Sequence, residues 1–217
     1  MKLSRTSMLT TRPDIKGTVV ASRLFDAKQT AGGNAWCLDS LAGRLVELTG
    51  QHASALLTIA AALILEAQRR GELAAWVGTR EASFYPPDFA ASGIDLEALP
   101  VIRAKDTLHA ARAADALLRS GGFSLLVFDL GERGTLKVAS QTRLTGLARK
   151  HHAVLLCITR RPDGQSPLGS LVSVRGVAFK CRDDFDRFAC QIRIVKDKRN
   201  GPGWKGVEVY RGSGGLC

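Results

Sequence analysis

Continuous apolar runs alternate with helical patterns along most of the chain. The runs predict buried strands at Leu45–Leu48, Ala74–Val77, Phe123–Asp129 and Ala153–Thr159. Apolar residues at helical spacing predict helices over Leu56–Arg70, Thr107–Arg119 and Leu136–Lys150. Strands and helices that alternate in this way favour an α/β fold, with a central, mainly parallel twisted sheet that is flanked by helices on both faces.

Local signals mark the ends of these elements and a change of character near the C-terminus. Asp106 is a predicted N-cap, and Gly121-Gly122 is predicted to end the helix that Asp106 begins. A loop rich in Gly, Pro and Ser follows Thr159. Beyond that loop the chain becomes β-rich, with strands predicted over Phe188–Val195 and Val207–Arg211.

The junction between the first strand and the first long helix has the frame of a phosphate-binding loop without its chemistry. In the G-x-x-x-x-G-K-[ST] register that starts at Gly50, the second glycine, the lysine and the hydroxyl are replaced by Ala55, Leu56 and Leu57, and Thr58 follows. Hydrocarbon offers nothing to hydrated phosphate or magnesium. We therefore expect no functional cofactor site, no metal and no catalytic residue here. The alternative is an ordinary buried strand followed by an ordinary amphipathic helix.

Composition narrows the class of protein and its partners. Against 20 acidic residues the 217-residue chain carries 31 Lys and Arg, a net charge of +11, which makes nucleic acid the first partner to consider. No apolar run reaches the roughly 18 residues that span a bilayer, and no signal-peptide core is evident, so we expect a cytoplasmic protein without membrane contact. Five dispersed cysteines suggest neither disulfides nor zinc, and Cys157 is expected in the core.

Three segments carry a resemblance to a known family. Arg44–Gly50 resembles the strand that enters the phosphate loop in the core ATPase domain of bacterial RecA recombinases. Leu125–Asp129 resembles the family's strand with the metal-associated aspartate, and Ile194–Lys198 resembles its late V-K-x-K strand. The resemblance covers roughly residues 37–212 and implies a RecA-like core. We therefore predict an N-terminal arm or small lead-in element over residues 1–36 and a core domain with a degenerate phosphate loop over 37–217.

Departures from the family pattern fall on its catalytic positions. Besides the loop, Arg80 stands about where the family has a catalytic glutamate, and Glu81 fits that place only if the register slips by one. Thr159-Arg160-Arg161 stands where the family has an amide that senses the γ-phosphate. Asp129 is retained, but alone it cannot hold a magnesium-nucleotide. The sequence therefore predicts a pseudo-ATPase rather than an enzyme.

Five basic residues are candidates for contact with DNA or a partner protein. Arg160, Arg161 and Arg175 surround the loop that corresponds in place to the family's second DNA-contacting loop. Lys196 and Lys198 match lysines that reach, in the family, toward a neighbouring subunit's nucleotide. The alternatives are an ordinary exposed loop and a pair of solvated lysines at a strand end.

Within the superfamily the chain is most similar to the ImuA mutagenesis accessory proteins. This resemblance implies a non-catalytic adaptor in DNA repair and in the DNA damage response (SOS mutagenesis), which supports error-prone translesion synthesis. The implied partners are the Y-family-polymerase-like ImuB and an error-prone replicative-type polymerase, with RecA and DNA as further candidates, and a homo-oligomer is expected. One alternative is a divergent DNA-dependent ATPase or recombinase, and a lower-ranked alternative is a SulA-like cell-division inhibitor.

Overall fold

A computed structural model describes residues 36–50, 55–80, 82, 84–161, 166–184, 187–203 and 205–211. The predicted arm therefore lies outside the described residues except for Trp36. The helices are α1 (Leu38–Leu41), α2 (Leu56–Arg69), α3 (Pro86–Ala91), α4 (Thr107–Ser120) and α5 (Val138–Lys150). The strands are β1 (Leu45–Thr49), β2 (Leu73–Thr79), β3 (Val101–Ala104), β4 (Phe123–Asp129), β5 (Val154–Thr159), β6 (Val174–Asp184), β7 (Arg187–Asp197) and β8 (Lys205–Arg211).

The eight strands of the described part form one sheet in the order β3-β2-β4-β5-β1-β6-β7-β8. From β3 to β6 all neighbours are parallel, whereas β7 and β8 extend the sheet as antiparallel strands. The predicted mainly parallel α/β fold with a β-rich C-terminal part is thus confirmed. Parallel strands place their carboxyl ends at one edge of the sheet, so the residues that end β1, β4 and β5 meet there.

Apolar side chains cover both faces of the sheet. On one face α2 packs with an aromatic cluster of Trp76, Phe84 and Phe89, whose ring centroids lie 4.5 to 5.4 Å apart. On the other face α4 and α5 pack against β2, β4 and β5, with Cys157 in this core as expected. Burial, and secondarily the charge of Glu47, raise the pKa of the Cys157 thiol. Cys157 is therefore a packing residue rather than a nucleophile.

The predicted caps are present, and the three predicted long helices differ from the observed ones only at their ends, whereas the short elements α1, α3 and β3 were not predicted. The Asp106 carboxylate accepts the backbone N–H of His109 at 2.8 Å, and Gly121 ends α4 with a left-handed φ of 71°. Helix α5 begins at Val138 rather than at the predicted Leu136, because Leu136 packs in the core from the preceding turn. No helix in the described part of the chain is long and apolar enough to cross a membrane.

Candidate functional site at the carboxyl edge of the sheet

Polar and charged side chains are concentrated where the parallel strands end. Asp129 ends β4, Thr49 ends β1 and Thr159 ends β5. Glu47 lies opposite Arg175 in the β1–β6 register. Strand pairing therefore brings together residues that are as many as 128 positions apart in sequence.

Asp129 is fully buried and paired with Arg160. The Nη1 of Arg160 donates to Oδ1 of Asp129 at 3.0 Å, and its Nη2 donates to Oδ2 at 3.3 Å. The backbone N–H of Gly131 donates to Oδ1 at 2.9 Å. Arg160 follows β5, which is the neighbour of β4, so the sheet itself sets this two-point contact. A buried carboxylate requires a positive charge beside it, and for Asp129 the Arg160 side chain provides that charge.

Glu47 is a second fully buried carboxylate, and the motifs in the sequence did not single it out. Its Oε2 accepts hydrogen bonds from Arg175 Nε at 2.6 Å and from Ser166 Oγ at 2.7 Å, and its Oε1 accepts from Thr159 Oγ1 at 3.3 Å. A signal was available, because Glu47 is the one charge inside the apolar run Leu45–Leu48. An acid inside a buried strand requires a partner from a neighbouring strand.

The residues at the start of α2 are apolar and pack in the core, and they offer no polar side chain to a ligand. Ala55 is the N-cap residue and supplies no side-chain hydrogen bond to the helix. Ala55 and Leu56 are buried in the core, Leu57 packs against the core, and Thr58 is half-buried. Residues 51–54 lie outside the described residues. A lysine in place of Leu56 would have to bury its charge or leave the core.

The end of β2 packs directly against Asp129 at Gly78. A Cβ added to Gly78 would lie 3.3 Å from the Asp129 Cβ and 2.6 Å from the Ala82 Cβ, so this position accommodates only glycine. Arg80, which replaces the expected carboxylate, is exposed to solvent beyond the strand. Glu81, the alternative for that role, lies outside the described residues.

A magnesium-bound nucleotide is the ligand that the sequence resemblance implies for this edge, and the residues present do not fit it. The lysine and hydroxyl positions hold Leu56 and Leu57, which face hydrocarbon. Asp129, the retained acidic position, accepts one hydrogen bond on each carboxylate oxygen from the Arg160 guanidinium. An arginine and a metal ion compete for the same carboxylate oxygens.

The five candidate contact residues differ in how available they are. Arg160 and Arg175 are engaged with the buried carboxylates described above. Arg161 is half-buried, and its Nε has no hydrogen-bond partner among the described residues. Lys196 Nζ donates to the Ser170 carbonyl at 3.2 Å, while Lys198 is exposed. A role for the five in contacting DNA or a partner stays a prediction.

Strand pairing brings three of these cations close to one another. Arg175 lies opposite Lys196 in the β6–β7 register, and the backbone N–H of Lys198 donates to the Ser173 carbonyl at 3.0 Å. Burial, followed by the positive charges of Lys198 and Arg175, lowers the pKa of the Lys196 ammonium, and the negative charge of Glu47 partly opposes this. The structure thus brings Arg175, Lys196 and Lys198 together, although the prediction placed them in separate motifs. Residues 162–165 of the intervening loop lie outside the described residues.

Comparison with known proteins agrees with this architecture. The family model for the RecA N-terminal domain matches residues 12–149. Protein RecA of Kineococcus radiotolerans is 34% identical over 118 residues, an alignment that covers 49% of this chain and 33% of that protein. For Protein RecA of Corynebacterium jeikeium the identity is 36%, with 49% and 31% covered.

A longer alignment exists with Protein RecA of a Picosynechococcus species. It is 33% identical over 154 residues and covers 61% of this chain and 43% of that protein. The alignments thus span 31% to 43% of the length of these curated relatives.

Proposed function

The chain belongs to the RecA N-terminal domain family, and we propose that it is a non-catalytic member of that family. In this proposal it is a cytoplasmic, homo-oligomeric adaptor in bacterial DNA-damage tolerance. It uses the RecA-like fold to bind other proteins and DNA, and it supports error-prone translesion synthesis. It does not hydrolyse ATP.

The observation that carries the non-catalytic part is the contact between Arg160 and Asp129. Loss of the phosphate-loop lysine alone leaves open a divergent enzyme that takes a cation from elsewhere in the chain. Here, however, the acidic position is already neutralised by the bidentate guanidinium of Arg160. A metal would have to displace that guanidinium from a buried carboxylate, which costs the ion pair and its hydrogen bonds.

The adaptor part rests on the resemblance to the ImuA proteins and on charge. ImuB and an error-prone replicative-type polymerase are the proposed protein partners, with RecA as a further one. Proposed direct contact with DNA is supported by the net charge of +11 and by the neighbouring cations Arg175, Lys196 and Lys198. Such a charge attracts the phosphate backbone without reading sequence.

Nucleotide binding tests the non-catalytic part. We expect a fluorescent ATP analogue with magnesium to show no saturable binding at micromolar concentration, and we expect no ATP turnover with or without single-stranded DNA. The control is the Asp129→Ala variant, which removes the retained carboxylate. Micromolar binding that Asp129→Ala abolishes would defeat the proposal, and turnover stimulated by DNA would favour the divergent ATPase.

Affinity purification from DNA-damaged bacteria tests the adaptor part. We expect the full chain to retain the two polymerase subunits. Retention of RecA alone would instead indicate a modulator of the recombinase filament, and retention of the tubulin-like division protein would indicate a SulA-like inhibitor.

A further inference from the structure

We propose that the groove between α4 and α5 is a docking site for an acidic segment of a partner protein that carries one or two large apolar anchor side chains. This inference rests on the proposed adaptor function and specifies the surface and the chemistry of one protein contact. The groove lies on the outer face of the helices, and one of its ends is directed toward the carboxyl edge.

Two facing helical stripes form the groove. Leu108, Ala111 and Asp115 recur on one side of α4, and Arg143 and Leu144 face them from α5. Ala111 and Leu144 are buried in the core beneath, so the floor is apolar. The groove encloses a cavity of about 230 Å³.

An exposed apolar side chain lies at one end of the groove. Leu108, in the first turn of α4, lines the groove and is 49% exposed. Helix α4 follows β3 and helix α5 follows β4, which are both parallel strands, so the first turns of the two helices lie toward the carboxyl edge. Hydrocarbon left in water at the mouth of an apolar groove is a feature of protein interaction sites.

The volume of the cavity argues for a side chain rather than a small molecule. Sites for small ligands usually enclose about 300–1,000 Å³ and bury most of the ligand. This cavity is smaller and open along the helices, which suits an anchor residue from a partner segment. Insertion of apolar anchors into a groove between helices is a recurrent mode of peptide recognition.

The charged side chains of α4 and α5 around the groove, here called its rim, favour binding of an acidic segment. Three arginines on α4 and α5 (Arg112, Arg119 and Arg143) are exposed beside a single lining carboxylate, that of Asp115. Asp115 already accepts hydrogen bonds from Arg119 and Arg143, and the bond from Arg143 is the main cause that lowers the pKa of its carboxyl. Arg112 forms no ion pair with any described residue. The rim is therefore left with an excess of positive charge.

A peptide selection tests the proposal. The full chain is immobilised and presented with a displayed library of random 16-residue peptides, and the enriched peptides are then measured by fluorescence anisotropy. We expect enriched sequences with acidic residues around one or two large apolar residues. We expect the Leu108→Asp and Arg112→Glu variants each to weaken their binding about tenfold or more, because each removes one half of the recognition.

Matched variants control for folding and for overall charge. Leu73→Asp changes an apolar side chain of the same 49% exposure at the other edge of the sheet. Lys205→Glu makes the same charge reversal on the exposed surface of β8. Both controls should bind as the unaltered chain does, with unchanged circular dichroism in all four variants. No enrichment, a basic consensus, or equal loss in the controls would overturn the proposal.

The outcome is distinguishable from failure of the proposed function. If the polymerase subunits are retained from damaged cells equally well by the Arg112→Glu variant and by the unaltered chain, the adaptor function stands and the groove is wrong. If acidic peptides bind the groove but no polymerase subunit is retained, the docking site stands and the assigned partners are wrong.

Discussion

Two buried aspartate–arginine pairs lie at opposite edges of the same sheet. At the amino edge, Arg44 before β1 pairs with Asp197 at the end of β7. Arg44 also donates to Ser173 Oγ at 3.0 Å, and Asp197 also accepts the backbone N–H of Arg199 at 2.8 Å. Asn200 adds two further hydrogen bonds at 3.2 Å. This pair joins the start of the parallel sheet to its antiparallel extension.

At the carboxyl edge, Arg160 and Asp129 make the same kind of pair in a different setting. The Arg160 side chain is 19% exposed, whereas that of Arg44 is 2% exposed. Water therefore reaches one guanidinium and not the other. We therefore interpret the Arg44–Asp197 pair as a structural clamp that stabilises the fold. The Arg160–Asp129 pair lies where, by resemblance to the family, a ligand would bind, and in the proposed function it excludes that ligand.

The largest expected effect is loss of the clamp. Arg44→Met should lower the free energy of unfolding by about 3–5 kcal/mol, because it leaves the Asp197 carboxylate buried without its counter-charge. Urea unfolding at neutral pH measures this. Arg199→Met is the control, because the Arg199 side chain is exposed and its backbone bond to Asp197 is retained. A loss below about 1 kcal/mol would show that the pair is not a clamp.

Removing the arginine at the carboxyl edge should cost less. Arg160→Met should lower the free energy of unfolding by about 1–3 kcal/mol, because the partly exposed site admits water to solvate Asp129. Asp129→Asn, alone and combined with Arg160→Met, completes a double-mutant cycle by urea unfolding. A loss as large as that of Arg44→Met would contradict the proposed difference between the edges.

Acid should act on the clamp through Asp197. Although burial opposes it, hydrogen bonds from Arg44 and from backbone N–H groups lower the pKa of Asp197 to about 2 from its ordinary 3.8. The unfolded state therefore binds this proton first as the pH falls. The stabilisation, about 2 kcal/mol, is complete above about pH 5 and is mostly lost by about pH 2.

Unfolding measured from pH 6 to pH 2 checks the acid effect. Asp197→Asn should flatten this part of the pH dependence, and an unchanged pH dependence in that variant would assign the acid sensitivity to other carboxylates.

The smallest expected effect concerns DNA contact by Arg161, which follows β5 at the carboxyl edge, and by Lys198, which follows β7 at the amino edge. The double variant Arg161→Glu with Lys198→Glu should weaken retention on DNA at low salt. It should also reduce the slope of the log binding constant against log salt concentration by about 1 for each DNA phosphate that the variant no longer neutralises. Arg160→Glu should weaken retention only as far as it destabilises the fold, since its guanidinium is bound to Asp129. Lys205→Glu is the charge control. Unchanged retention in the double variant would exclude these two residues from DNA binding.

Most long elements of the fold were predictable from sequence. Strand β4 was predicted over the residues that form it, and the Asp106 cap and the Gly121 end of α4 are local signals that the structure confirms. Strand β3 was missed because it has four residues, only partly buried, at the edge of the sheet. Strand β6 lies in the part of the chain predicted to be β-rich, but its bounds were not predicted because Arg175 and Gly176 interrupt its apolar pattern. Pairing with β1 and β7 and the burial of Val174 and Ala178 hold it in place.

Part of the candidate site was predictable in its residues, although Glu47 was not singled out, and none of its contacts was predictable. Asp129 and Arg160 were both singled out, yet nothing local to either residue indicates that they bind each other. Glu47 and Arg175 pair for the same kind of reason: they lie opposite each other in adjacent strands.

By itself the sequence determined the order of the helices and strands, the apolar replacement of the phosphate loop and the excess of positive charge, because each is a property of neighbouring residues or of the whole composition. Tertiary structure alone decided which arginine neutralises which buried carboxylate and which helix stripes face each other across a groove. Those contacts depend on strand order and helix packing, which bring residues far apart in the chain within a few ångströms of one another.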